Sequence, residues 1–171
     1  MTEKARKPFA AKHGHRPPEQ IDPEIRKSLE RNAGKGELPC AVAFRLADEL
    51  QKPPSEIGEA ADLLGIRLVK CQMGLFGYVP EKKIVQAAAV VDPGLEDAIR
   101  GRLENGRLPC RVAWSLAEAF KMSRMEVSAA CEALGIKVKP CQLGAFSRLM
   151  PAPFIDCKGT KPHDAKNDKT T

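Results

Sequence analysis

The sequence predicts a mainly α-helical protein made of two tandem copies of one small unit, each with three helices and a short strand. Two observations predict it. Laid on itself at an offset of 70 residues without a gap, the chain matches residues 21–78 to residues 91–148 at 19 of 58 positions. Ordinary composition gives roughly four such matches by chance. Within each copy, apolar residues recur at helical spacing and Pro, Gly and Asx residues punctuate them at the same places. The identities include Leu38/Leu108, Pro39/Pro109, Cys40/Cys110, Gly65/Gly135, Cys71/Cys141, Gln72/Gln142, Gly74/Gly144 and Phe76/Phe146.

The first helix opens at Asp22-Pro23 and again at Asp92-Pro93, an acid that caps free N–H groups followed by a proline suited to the first helical turn. Ile25 and Leu29, matched by Leu95 and Ile99, give its apolar face, and Gly34-Lys35-Gly36 or Asn105-Gly106 ends it. A second helix opens at Pro39 and Pro109. Its apolar set Val42, Ala43, Leu46, Ala47 and Leu50 returns as Val112, Ala113, Leu116, Ala117 and Phe120. After a tight turn, a third helix carries Ile57, Ala60, Ala61 and Leu64, matched by Val127, Ala130, Cys131 and Leu134, and Ser123 and Glu126 have capping-box spacing. Gly65 and Gly135 stop it, and Ile66-Arg67-Leu68 or Ile136-Lys137-Val138 then alternates as a half-buried strand does.

The segments running from Cys40 to Leu50 and from Ser55 to Ile66, with their second copies, resemble the helix-turn-helix core of prokaryotic winged-helix regulators. The resemblance covers about two thirds of the chain and implies a DNA-binding transcriptional regulator. Such a chain would be a pseudo-dimer, as a monomer or homodimer, with two modules that most regulators obtain by dimerising. The expected organisation is a disordered basic tail over 1–20, a first module over 21–78, a connector over 79–90, a second module over 91–150 and a disordered tail over 151–171. The connector is consistent with a helical extension or with a strand returning beside Ile66 as a wing.

The formal charge of +6 is unevenly placed. Residues 1–20 carry five Lys/Arg against two Asp/Glu, whereas residues 21–150 carry 19 against 17, so the helical part is nearly neutral. No stretch approaches the roughly 18 apolar residues of a membrane span. The opening Met-Thr-Glu-Lys-Ala-Arg-Lys has no apolar leader, which predicts a cytoplasmic, reducing environment in which the six cysteines stay free or bind metal.

On the third helix of the first copy the outward positions are Ser55, Glu56, Glu59 and Asp62, whose acids repel phosphates. The second copy suits DNA better, with Lys121, Ser123, Arg124 and Ser128 on or before the third helix and Arg107 and Arg111 nearby. Contact with DNA is therefore expected through the second module.

The cysteines point elsewhere. Cys40 and Cys110 each follow a proline at a helix start, where free N–H groups and the helix dipole favour a thiolate. With Cys71 and Cys141 they make four thiols, enough for zinc or an iron–sulfur cluster if the copies bring them together. The competing expectation is thus a cysteine-ligated metal or iron–sulfur adaptor that docks a protein partner. Against a metal, no Cys-x-x-Cys pair is present, and buried core cysteines repeated by duplication explain the pattern without one. Cys131 replaces Ala61 and reads as core filler, as do Phe44 and Trp114 at one shared position. His13, His15 and His163 lie in the tails, so neither module supplies a histidine base, and no phosphate-binding glycine loop occurs. An enzyme is not expected.

Overall fold

A computed structural model describes residues 18–145. The chain is mainly helical, with a few short strands. The order is α1 (Pro23–Asn32), β1 (Glu37–Pro39), α2 (Cys40–Glu49), α3 (Pro54–Leu63), β2 (Arg67–Val69), α4 (Pro93–Arg100), β3 (Arg107–Leu108), α5 (Cys110–Ala119), α6 (Arg124–Ala133) and β4 (Lys137–Val138). The elements of the first half thus return in the same order about 70 residues later.

Local chemistry sets the helix ends. Asp22 accepts the Glu24 N–H and Asp92 the Leu95 N–H, each ahead of a proline in the first turn. Ser123 and Glu126 close a reciprocal capping box on α6. Glycines at positive φ, Gly65 (+70°) and Gly135 (+68°), follow α3 and α6 and turn the chain into β2 and β4.

The strands arrange themselves differently from a wing. β1 runs parallel to β2, pairing Leu38 with Leu68, and β3 runs parallel to β4, pairing Leu108 with Val138. Each pair clamps the start of α2 or α5 to the end of α3 or α6. The connector over 79–90 forms neither helix nor paired strand apart from a bridge between Tyr78 and Lys82.

The two halves do not close their own cores. The first core, around Ile25, Leu29, Leu38, Leu46 and Ile57, takes in Leu143, with Cys141 and Ala145 packed against it. The second core, around Leu95, Ile99, Leu108, Leu116 and Val127, takes in Cys71 and Met73, with Leu75 and Phe76 against it. Each Cys-Gln-x-Gly turn therefore crosses to the opposite half. Leu143 and Met73, one residue in from each glycine, are each 1% exposed, so each removes nearly a whole side chain from water. Between the halves, the rings of Phe44 and Trp114 meet with centroids 4.3 Å apart. Both rings are only partly buried and pack against the two cores, filling the seam between the halves where the sequence implies core positions.

Candidate metal centre

The exchange of turns brings the four repeated cysteines to the junction. Cys40 and Cys110 begin α2 and α5, and Cys71 and Cys141 begin the crossing turns. Cys71, Cys110 and Cys141 line one cavity of about 190 Å³, together with Met73, Leu75, Phe76, Val138, Glu132, Lys137 and Lys139. Cys40 is not among the residues that line it, but lies close enough that the Cys71 and Cys141 thiols act on it electrostatically. All four are free thiols.

The expectation of lowered thiol pKa values is overturned. Burial pushes Cys40 up to about 12 and Cys110 up to about 11, with the Cys71 and Cys141 thiols adding to the shift in both. Burial raises Cys71 as well. The helix N-terminus is present at Cys40 and Cys110, but desolvating a lone thiolate costs more than the dipole returns.

Against that cost the turns direct a set of N–H donors at sulfur. The Gln72 side-chain amide donates to Cys40 Sγ at 3.9 Å, and the Gln142 amide donates to Cys110 Sγ at 3.6 Å. The backbone N–H groups of the same two glutamines also favour the charged forms of Cys40 and Cys110. Those of Leu75, Met73 and Phe76 do so at Cys71. A neutral thiol is a weak acceptor, so donors in this number suit sulfurs that carry negative charge. Gly74 (φ +72°) makes the fold-back of the first turn possible, and its Cβ position meets Val85 at 3.1 Å. Among the described residues, no group of three or more His, Cys, Asp or Glu side chains is placed so that it could hold a metal ion.

The residues expected to touch DNA separate. Lys121, Arg107 and Arg111 are exposed, and Arg111 pairs with Glu104 at 2.5 Å. Ser123 is committed to the capping box. Arg124 is half-buried, stacked 3.3 Å from the Trp114 ring centroid and hydrogen-bonded to Gln72. Ser128 is a correction: it is fully buried and its hydroxyl has no partner, so it cannot reach a base edge. The connector lies along α6 beside it. Ala88 donates to the Ala129 carbonyl at 3.0 Å, and Lys83 pairs with Glu132 at 2.5 Å. On α3, Asp62 is likewise buried at 8% exposure and not outward.

Cys131 is 1% exposed inside the second core, and Phe76 packs against both cores. His13, His15, His163, Phe146 and Cys157 lie outside the described residues. Sequence reasoning missed Gln72 and Gln142 as donors to the thiols. Their signal was present: both copies keep the same amide directly after a cysteine.

No protein-family model matches this sequence, and neither the curated proteins nor the solved structures include a significant match.

Proposed function

We propose that this protein is a non-enzymatic, cysteine-ligated metal-binding protein, of the zinc or iron–sulfur kind, whose helical halves form a docking scaffold for a protein partner in a reducing compartment. One observation carries the reading: Cys71, Cys110 and Cys141, drawn from both halves, line one cavity, Cys40 lies within electrostatic reach of two of them, and the Gln72 and Gln142 amides donate to Cys40 and Cys110. Simple packing accounts for buried thiols, but not for two side-chain amides and a fan of backbone N–H groups directed at them. Metal replaces the thiol protons, which relieves the desolvation that holds the free thiols neutral.

The fold reading behind this is a tandem pair of helix-turn-helix units in which a parallel strand pair takes the place of a wing, supported by the matching element order and by the tight turns at Gln51 (φ +52°) and Lys121 (φ +53°). It also supports a second reading, a DNA-binding regulator contacting phosphates through exposed Arg107, Arg111 and Lys121. That reading is weaker because the exchanged turn and connector cover α6.

One set of preparations tests both. Anaerobically purified full-length chain should contain zinc or iron bound through cysteine, and Cys110→Ser and Cys141→Ser should lose it. Metal-free protein that also takes up none on reconstitution rejects the proposal. The same samples titrated by anisotropy against duplex DNA at low salt should show no binding that depends on Arg107 or Arg111; such binding moves the second reading to first place.

A further inference from the structure

Independently of the metal-binding reading, we infer that the cavity at the junction and the neighbouring face of Gly144 are a docking surface for this chain's own residues 149–155. Phe154 and Ile155 seat on Gly144, and Leu149 and Met150 fill the cavity. The first half shows how such a seat is made. After its Cys-Gln-x-Gly turn the chain laps back over that turn, and the Ile84 and Val85 N–H groups donate to the Gly74 carbonyl at 2.9 and 3.2 Å. Val85 comes within 3.1 Å of a Cβ built on Gly74 and is itself only 6% exposed. Along the same lap the Phe76 carbonyl accepts the Cys71 N–H at 3.1 Å and Gly77 lies against Val69, so that Cys71 and Val69 are both buried.

The second turn contrasts with the first. Among the described residues no atom lies within 4 Å of a Cβ built on Gly144, and Gly144, Cys141 and Val138 are half-buried where Gly74, Cys71 and Leu68 are buried. The offset of 70 residues that relates the halves carries Ile84-Val85 onto Phe154-Ile155. That apolar pair closes an uncharged run, Leu-Met-Pro-Ala-Pro-Phe-Ile over residues 149–155, which gains by leaving water. The sequence thus repeats the covering pair at the position where the first half uses it, and the polar tail begins at Asp156.

Two substitutions explain why the cavity lies beside β4. Ser147 stands in place of Gly77, where a Cβ would come within 2.5 Å of the Val69 Cα. Pro140 stands in place of Lys70, whose N–H donates to the Gly77 carbonyl at 3.0 Å, and proline has no such donor. The second lap therefore cannot close on its strand as the first does, and a cavity of about 190 Å³ borders Val138, Lys139 and Cys141 there. Leu149 is four residues beyond Ala145, an extended reach of up to about 13–14 Å. Leu149 and Met150 supply apolar side chains that match the wall of Met73, Leu75 and Phe76.

The test uses the full chain in the presence of chelator, so that bound metal affects neither measurement. In nuclear magnetic resonance of the unaltered, isoleucine-labelled chain, the Ile155 methyl should show Overhauser contacts to Gly144. An Ile155 methyl with the shift of a solvated isoleucine and no such contact overturns the inference. Contacts that appear between differently labelled chains in a mixed sample of dimeric mass also overturn it, in favour of a second copy as occupant. The other arm measures alkylation of each cysteine by mass spectrometry. Replacing Phe154→Asp and Ile155→Asp together should speed alkylation of Cys141 roughly tenfold, the weight of one buried apolar side chain. Cys131, 1% exposed inside the second core, should keep its rate. An unchanged Cys141 rate overturns the docking, and where the Cys131 rate rises as well the variant has lost its fold and the contacts of the unaltered chain decide.

Discussion

The first half and the second share an order of elements, yet they receive each other's turns differently. On α3, Gly58 lies under the backbone of Leu143, and a Cβ built there would overlap the Leu143 carbonyl oxygen. At the matching place on α6 stands Ser128, whose hydroxyl is sealed in without a partner. The first turn is followed by a connector that lies along α6. The lesson is that one repeated framework tolerates two seating modes: close backbone approach over glycine, and a looser fit that accepts an orphan hydroxyl.

The sharpest way to break the comparison is Gly58→Ala. Alanine gains roughly 1 kcal/mol over glycine within a helix, but the overlap with Leu143 must displace backbone. A net loss of about 2–3 kcal/mol is expected in urea denaturation. Ser128→Ala should do the opposite, stabilising by about 1 kcal/mol because it removes a buried unpaired hydroxyl. If both changes move stability in the same direction, the two seats are not different. Next in size is Arg124→Ala, at a position where the first half has Pro54. Losing the guanidinium over Trp114 should cost about 0.5–1 kcal/mol. The emission of the single tryptophan should also shift, reporting directly on the seam.

The smallest effect separates the halves by acid. Hydrogen bonding and charge from Lys52, with the Glu24 N–H, hold Asp22 below the usual carboxylate range, and the Lys52–Asp22 pair measures 3.0 Å. Asp22 therefore supports the fold above the ordinary carboxylate pKa, and that support fades as pH falls through its lowered value. In the second half Met122 replaces Lys52. Asp22→Asn should flatten the acid limb of a stability–pH curve, and an unchanged limb would refute this contribution.

Much of the framework was legible before any coordinates. Asp-Pro caps, glycine stops and the Ala-rich spacing locate the six helices because those signals act within a few residues. Strands β1 and β3 escaped notice because they are two or three residues long and abut a proline, leaving no alternation to read. The exchange of turns was not legible at all, since the hydrophobicity of Met73 and Leu143 says that they are buried and not in which core. The same gap misplaced Ser128, a polar residue assigned to an outer face that the other half covers. The candidate site was half legible. The four thiols stood out through repetition, but their environment depends on burial that only the fold supplies, and burial reversed the expected pKa shift.

Because each crossing turn finishes the opposite core, a half-length chain would be left with an open apolar slot, and filling it would require a second molecule. Joining both halves on one polypeptide makes that encounter intramolecular, so dilution does not dissociate it. A cut within the connector at 79–90 should accordingly yield fragments that fold only when mixed, with a midpoint that rises with their concentration.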